Sequence, residues 1–269
     1  MFKKIIALTL SVIIILTLSL ITLKQINNQK RVAGVNTNFE KQKIKGVIIP
    51  HHDLAKQYIE ESLNRISQIQ NPLNIVVIGP NHFQEGETRF ISTDQLFNYP
   101  ILKEFVYKLQ NESLVALSKE TVESEHSITV PILYLHNYFP NANFIPLIAP
   151  RYFDRSDISQ IATFLKTSLP EDTLYVASVD FSHNKMLLEA MNKNKESESA
   201  IANFNYEKIY KFQDDYTDSP ATLGLLLQIM QRLGATKWEK WYESHGALIA
   251  EKLDLQGTSY IIGIFKKDQ

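Results

Sequence analysis

The chain has 269 residues, of which 44% are hydrophobic and 21% are charged, so it can bury the core of one large domain or two small ones. It contains no cysteine, which excludes disulfide bonds, a thiolate nucleophile and cysteine-based metal sites. Five of its 28 basic residues and none of its 29 acidic residues lie in residues 1–39. The remainder therefore carries a net charge of about −6 and is not predicted to bind nucleic acid.

An uncharged hydrophobic run from Ile5 to Leu23 follows two lysines near the start of the chain. As a helix this run would be about 28 Å long, close to the roughly 30 Å of a bilayer's hydrocarbon core. We therefore expect residues 1–24 to be a signal peptide or signal anchor, with residues 25–44 as a polar linker. The body is then expected to be membrane-anchored or secreted, outside the cytoplasm. A buried core helix is the alternative for this run.

From residue 45 to residue 269, short β-branched runs alternate with helical patterns. The predicted elements, in chain order, are strand "KGVIIP", helix "LAKQYIEESLNRISQI", strand "NIVVIG", a short peripheral strand "TRFIST", a helix near 101–110, a helix from His126, strand "NFIPLI", helix 154–169, strand "TLYVAS", helical segments within 185–212, helix "SPATLGLLLQIMQRLG" and strands "TKWEKWYES" and "TSYIIGIF". This alternation predicts a single α/β domain with a central, mainly parallel β-sheet flanked by helices. No glycine-rich phosphate loop follows a predicted strand, so a nucleotide-binding fold of that type is not expected.

Histidines follow three of the predicted strands directly. The stretch "GVIIPHHD" places His51 and His52 after one strand, and "NIVVIGPNH" places His82 after the next. "TLYVASVDFSH" adds Asp180 and His183 after a third strand. In open α/β sheets, ligands bind in the crevice beyond the carboxyl ends of the strands. We therefore expect these side chains to converge on one site.

Such a cluster suits metal chemistry, because neutral imidazole is the commonest metal ligand in proteins. Two histidines and one carboxylate, with open positions opposite, form the usual non-haem Fe(II) site. A further histidine beside an open position can act as a general acid or base. Two segments have simpler interpretations, because Asp218 in "TDSPATLG" can be a helix N-cap and "SEHS" at 124–127 can be only a helix start.

Four motifs together resemble the Memo family, which in bacteria and archaea is called the AmmeMemoRadiSam system protein B family. They are "IPHHD", "IGPNH", "SEHSITVPILYL" and "SVDFSH", and they occur in the family's order over most of residues 45–265. The resemblance implies an α/β fold similar to that of class III extradiol dioxygenases, which are ring-cleaving non-haem iron enzymes. It also implies a radical enzyme and a small partner protein as candidate partners.

The resemblance implies a metal site as well. The family's two metal-site histidines correspond to His51 and His82, and its cysteine falls close to Asp218. The replacement of a thiolate by a carboxylate would convert the site into the iron-type set of two histidines and one carboxylate. The alignment around this position is short, so Ser219 or no residue at all are the alternatives to Asp218.

Further pocket residues follow from the same motifs. His183 matches the family histidine that corresponds to the catalytic base of the dioxygenases, and Asp180 is expected to steady it. His126 matches a pocket residue and is predicted, with His52, to bind substrate. The family's small pair after the first histidine is here His52 and Asp53, which would place two bulky polar groups in the pocket.

The sequence therefore favours a metal-dependent oxidoreductase, with iron as the first candidate metal and copper or zinc as alternatives. A second hypothesis is a non-catalytic, membrane-tethered module that binds a small-molecule or peptide ligand in the same pocket. A third is a zinc hydrolase in which a histidine or an acid activates a metal-bound water.

Overall fold

The structure is a computed structural model that describes residues 43–83 and 89–267. Its strands are β1 (Ile44–Ile49), β2 (Asn74–Pro80), β3 (Phe90–Ser92), β4 (Val115–Leu117), β5 (Asn143–Ala149), β6 (Leu174–Ser178), β7 (Lys237–His245) and β8 (Ser259–Lys266). Its helices are α1 (Lys56–Ser67), α2 (Lys103–Asn111), α3 (Lys119–Ser124), α4 (His126–Tyr138), α5 (Arg155–Ser168), α6 (Leu187–Ala202), α7 (Tyr206–Ile209), α8 (Pro220–Leu233) and α9 (Gly246–Ile249), and a 3₁₀ turn spans Asp53–Ala55.

All eight strands form one sheet in the order β4-β3-β5-β2-β6-β1-β8-β7. The four central strands, β5, β2, β6 and β1, run parallel to one another. Strand β8 pairs antiparallel with β1 and with β7, and β3 pairs antiparallel with β5. The predicted α/β domain is therefore confirmed, but its sheet is mixed, because the parallel arrangement is limited to the centre and to the β3–β4 pair.

Helices cover both faces of the sheet and bury two separate apolar clusters. On one face, Val47 and Val77 pack with residues of α1 and α4. On the other face, Ile48 and Val76 pack with residues of α2, α5 and α8. Because side chains alternate along a strand, neighbouring residues of β1 and β2 enter different cores. This double burial explains why the central strands are continuous hydrophobic runs.

Of two further predictions from the sequence, one is wrong and the other falls on residues that the structure does not describe. The short "TRFIST" strand is not peripheral, since β3 lies inside the sheet and β4, which was not predicted, forms the edge. The predicted N-terminal hydrophobic helix and signal segment, residues 1–24, lie outside the described residues. Within residues 43–83 and 89–267, no helix combines the length and the apolar character that crossing a membrane requires.

Candidate metal centre

The carboxyl ends of the central parallel strands meet at one edge of the sheet, and the predicted site residues lie there. His51 follows β1, His82 follows β2 and Asp180 follows β6. In the sheet, β6 lies between β1 and β2, so Asp180 comes from the strand between the two that carry the histidines. Asp218 reaches the same edge from the residues just before α8. The predicted convergence is therefore present for His51, His82 and Asp180.

His51 is buried, and both of its ring nitrogens have neighbours. Its Nδ1 lies 3.1 Å from the hydroxyl of Ser178, the last residue of β6. Its Nε2 lies 3.3 Å from Oδ2 of Asp218 and 3.8 Å from Oδ2 of Asp180. Burial lowers the pKa of His51 to about 4, although the nearby Asp218 carboxylate opposes this change. At neutral pH the ring is therefore uncharged, which is the form that binds a metal.

His82 is held by the carboxylate of Glu125, which was not among the site residues predicted from the sequence. Its Nδ1 lies 2.8 Å from Oε1 of Glu125, and its backbone N–H donates to Oε2 at 2.8 Å. Its Nε2 faces Asp218, with 3.8 Å between Nε2 and Oδ2. Burial alone would lower the pKa of His82, but the carboxylates of Asp218 and Glu125 outweigh it and raise the pKa to about 10.

Glu125 is fully buried and is the N-cap of α4, where it accepts the backbone N–H of Ser127 at 3.0 Å. Burial raises its pKa, but the hydrogen bonds from His82 and Ser127 dominate and leave the pKa lowered. A carboxylate that binds Nδ1 of a histidine fixes the ring orientation and leaves Nε2 free for a metal. This role of Glu125 could not be predicted from the sequence, because "SEHS" also fits an ordinary helix start.

Asp218 lies between the two histidines, and it does not cap α8. That function belongs to Ser219, whose hydroxyl accepts the backbone N–H of Thr222 at 3.2 Å. Asp218 Oδ2 accepts the backbone N–H of Asp180 at 3.1 Å. Its Oδ1 is buried and has no hydrogen-bond partner within the part of the chain that the structure describes. A buried carboxylate oxygen without a partner is costly in a protein, so a cation at this position would satisfy it.

The residues present therefore fit a divalent cation. One ligand atom from each of His51, Asp180 and Asp218 lies within 4.8 Å of the others, and the same holds for His51, His82 and His126. The donors are imidazole and carboxylate groups, which suit iron, zinc or copper rather than a metal that requires thiolates. The predicted set of His51, His82 and Asp218 is neither of these two groups, but Asp218 lies 3.3 Å from Nε2 of His51 and 3.8 Å from Nε2 of His82, and the role of the three as ligands remains a prediction.

The predicted substrate-binding residue His126 lies directly beside this group. Its ring stacks on that of His82, with 4.2 Å between the ring centroids, and meets the His51 ring edge-on at 5.1 Å. Nearly half of its side chain is exposed, and its Nδ1 lies 3.4 Å from Oε1 of Glu125. Burial and the neighbouring His82 lower the pKa of His126. Among the described residues, the lining of the cleft that contains His82 does not include His126, so its contact to substrate remains a prediction.

His183 lines a cleft of about 420 Å³ together with His82 and Asp218. The Nδ1 of His183 lies 3.2 Å from the backbone carbonyl of Asp214, and its backbone N–H donates to the same oxygen at 3.0 Å. We expected Asp180 to steady this ring. The hydrogen-bond partner of His183 is instead Asp214, because the carboxylate of Asp180 turns towards His51.

Asp180 is almost completely buried, and burial raises its pKa to about 6. The nearby His183 and His52 lower it partly, and so does the backbone N–H of His51, which lies 3.3 Å from Oδ1. Asp180 and His183 therefore remain electrostatic neighbours. Their predicted catalytic roles are compatible with this arrangement, although Asp180 contacts His51 more directly.

His52 and Asp53 do not fill the pocket as expected. The Nδ1 of His52 accepts the backbone N–H of Leu54 at 3.2 Å and so caps the 3₁₀ turn. Asp53 accepts the hydroxyl of Tyr134 on α4 at 2.9 Å. Among the described residues, the lining of the cleft includes neither His52 nor Asp53. These two residues therefore attach the turn to its surroundings, and a substrate contact for His52 remains a prediction.

Comparison with known proteins agrees with this architecture. The family model described as "Memo-like protein" matches residues 21–248. A MEMO1 family protein of Caldivirga maquilingensis is 24% identical over 72% of this chain and 72% of its own length. A MEMO1 family protein of Aquifex aeolicus is 31% identical over 55% of this chain, although that alignment spans only 42% of the relative.

A similar fold occurs in the crystal structure of an uncharacterized protein from Escherichia coli K12. The two structures have a TM-score of 0.54 at 12% sequence identity, and the match covers 81% of this chain and 99% of the other. The predicted relationship to class III extradiol dioxygenases is consistent with this fold. The extent of the family match, together with the strand-end motifs, shows that the chain belongs to the Memo-like family.

Proposed function

We propose that this protein is a metal-dependent oxidoreductase in which His51, His82 and Asp218 hold a divalent metal. Iron is the first candidate, and copper or zinc are the alternatives. One observation carries the proposal: the Asp218 carboxylate lies 3.3 Å from Nε2 of His51 and 3.8 Å from Nε2 of His82, and its other oxygen is buried without a partner among the described residues.

A metal bound there would supply Lewis acidity and, in the case of iron or copper, electron transfer. The protein would supply orientation and proton transfer. His183 faces the cleft, and its Nδ1 is next to the Asp214 carbonyl, so Nε2 is left to take a proton from a substrate hydroxyl. The cleft has room for a small molecule beside the metal ligands.

The test is oxygen consumption by the Fe(II)-loaded protein with a panel of catechols. We expect the substitution His183→Asn to slow oxygen uptake about 100-fold or more while the iron content stays unchanged, because general acid–base catalysis typically contributes at least that factor. His136→Gln is the control, since His136 packs against Tyr99 and Phe144 instead of facing the cleft. Unchanged uptake in the His183 variant would reject the proton-transfer role.

A non-catalytic binding protein for a small molecule or peptide is the second candidate. The cleft favours it, because the exposed ring of Tyr152 offers a contact surface that needs no metal. Calorimetry on metal-free protein separates the two functions. Tight ligand binding without metal, combined with no oxygen uptake in the iron-loaded form, would favour the binding protein and reject the oxidoreductase.

From the sequence alone we further propose that residues 1–24 direct the body out of the cytoplasm. A fusion of the chain to alkaline phosphatase, which is active only outside the cytoplasm, tests this orientation. An inactive but intact fusion would reject it.

We also propose a radical enzyme as a partner, and this proposal rests only on the motifs that resemble the Memo family. Co-purification of such an enzyme with the full chain is the test.

A further inference from the structure

Arg151 occupies the same position after β5 that His82 occupies after β2. The two strands are parallel, and their last residues, Pro80 and Ala149, are register partners. His82 and Arg151 each lie two residues beyond those partners, and the backbone N–H of Asn81 still donates to the carbonyl of Ala149 at 3.1 Å. Because neighbouring strands are about 4.8 Å apart, the chain segments that carry His82 and Arg151 leave the same edge of the sheet side by side.

Arg151 also lines the cleft of about 420 Å³ that contains His82, His183 and Asp218. Among the described residues of that lining, it is the only lysine or arginine. The next residue, Tyr152, lines the same cleft with a side chain that is largely exposed. A cation and an aromatic ring therefore face a ligand that enters the cleft.

The guanidinium of Arg151 is only weakly engaged within the protein. Its Nη2 lies 3.9 Å from Oδ2 of Asp214, and the two side chains are 52% and 71% exposed. Exposed ion pairs at this distance are weak and are easily exchanged for another anion. The planar guanidinium can form two parallel hydrogen bonds with a carboxylate, which is a stronger interaction than the pair in the structure.

We propose that Arg151 binds the carboxylate of the substrate, so that the substrate class is a small metal-chelating molecule with a carboxylate at some distance from its chelating oxygens. This inference rests on the proposed function, since the chelating oxygens would bind the metal held by His51, His82 and Asp218. The carboxylate would displace Asp214 from Arg151. Attachment at two points fixes the ligand in the cleft and places it beside His183.

The test compares two catechol probes that differ in one substituent, the carboxylate of 3,4-dihydroxybenzoate and the neutral amide of 3,4-dihydroxybenzamide. Their binding to the zinc-loaded full-length protein is measured by calorimetry, because zinc permits no turnover. We expect the carboxylate probe to bind about tenfold more tightly, as is typical of a hydrogen bond to a charged group. The substitution Arg151→Gln should abolish this preference by weakening the binding of the carboxylate probe about tenfold.

Arg65→Gln is the matched control. Arg65 is 54% exposed and lies 3.8 Å from Glu239, so its exposure and its ion pair resemble those of Arg151. It is in the last turn of α1, and the lining of the cleft does not include it among the described residues. The Arg65 variant should keep the tenfold preference.

Equal affinities of the wild-type protein for the two probes, or a preference that survives in Arg151→Gln, would overturn the inference while the metal site stands. A protein that takes up no zinc would instead reject the proposed function, and the inference with it. The zinc content of each sample, measured before calorimetry, separates these two failures.

Discussion

At the scale of single residues, the site depends on how each imidazole is turned. Both predicted histidine ligands have a neighbour at Nδ1, which is the Ser178 hydroxyl for His51 and the Glu125 carboxylate for His82. In both cases Nε2 faces Asp218. Such outer contacts orient metal ligands and strengthen their binding. Glu125 is therefore a positioning residue for the proposed metal.

The substitution Glu125→Gln tests this role. The single amide oxygen can still accept hydrogen bonds from Nδ1 of His82 and the backbone N–H of Ser127, but the amide NH₂ group replaces the oxygen that accepts the backbone N–H of His82, and the negative charge behind the imidazole is lost. We expect zinc affinity to fall about 10–100-fold, which is typical when a residue that orients a metal ligand is replaced, and the melting temperature to fall as well, because a buried backbone N–H loses its acceptor. Glu120→Gln, an exposed residue of α3, is the control. Wild-type zinc affinity in a folded Glu125→Gln protein would contradict the role.

The identity of the third ligand is tested by Asp218→Cys and Asp218→Ala. We expect the cysteine variant to keep a metal site but to shift its preference towards zinc and Cu(I), because thiolates are soft ligands. The alanine variant should lose most of its metal. Competition titrations with a metal indicator measure both effects. If alanine at position 218 leaves the affinity unchanged, Asp218 is not a ligand.

At the scale of elements, the contact between β2 and the start of α4 places Glu125 beside His82. Gly79 in β2 allows this approach, because a Cβ atom there would lie 2.5 Å from the hydroxyl of Ser127 and 2.8 Å from its carbonyl oxygen. The Ser127 hydroxyl also donates to the carbonyl of Pro80 at 2.8 Å. The glycine of the "IGPNH" motif is therefore needed for close packing.

Gly79→Ala should lower the free energy of unfolding by about 1–3 kcal/mol, which is typical of overpacking, since the obstacle includes backbone atoms. It should also weaken zinc binding, because the added methyl group pushes the start of α4 away from β2, and Glu125 then moves away from His82. Gly246→Ala is the control, as its nearest atom would be a flexible Leu54 methyl at 3.4 Å. Denaturant unfolding and zinc titration measure the effects. Equal stability of the two variants would contradict this account.

At the scale of the whole molecule, the sequence predicted the order of nearly all described elements and the place where His51, His82 and Asp180 meet. This was possible because strand ends in an α/β sheet have a fixed relation to the crevice. It did not predict β4, since a three-residue strand has no periodicity of its own, and it predicted β7 and β8 as strands without their antiparallel direction. Glu125 and the Asp214 contact of His183 were missed, because they depend on tertiary packing between distant segments.

The charge balance of the site predicts how metal binding depends on pH. With a pKa of about 10, His82 is protonated at neutral pH in the metal-free protein, whereas His51, with a pKa of about 4, is not. A metal must displace the His82 proton, so its affinity should rise about tenfold per pH unit between pH 7 and 9. Zinc titration in buffers of different ionisation enthalpy should show about one proton released per metal. Release of no proton would contradict this assignment.

The central claim is that one divalent metal binds between His51, His82 and Asp218. Anomalous diffraction from crystals of the metal-loaded protein, collected at the absorption edge of that metal, tests it most directly. The account predicts a single strong peak about 2.0–2.2 Å from Nε2 of both histidines and from a carboxylate oxygen of Asp218. Crystals of fully loaded protein whose peak lies elsewhere, with these three side chains free of metal, would contradict it.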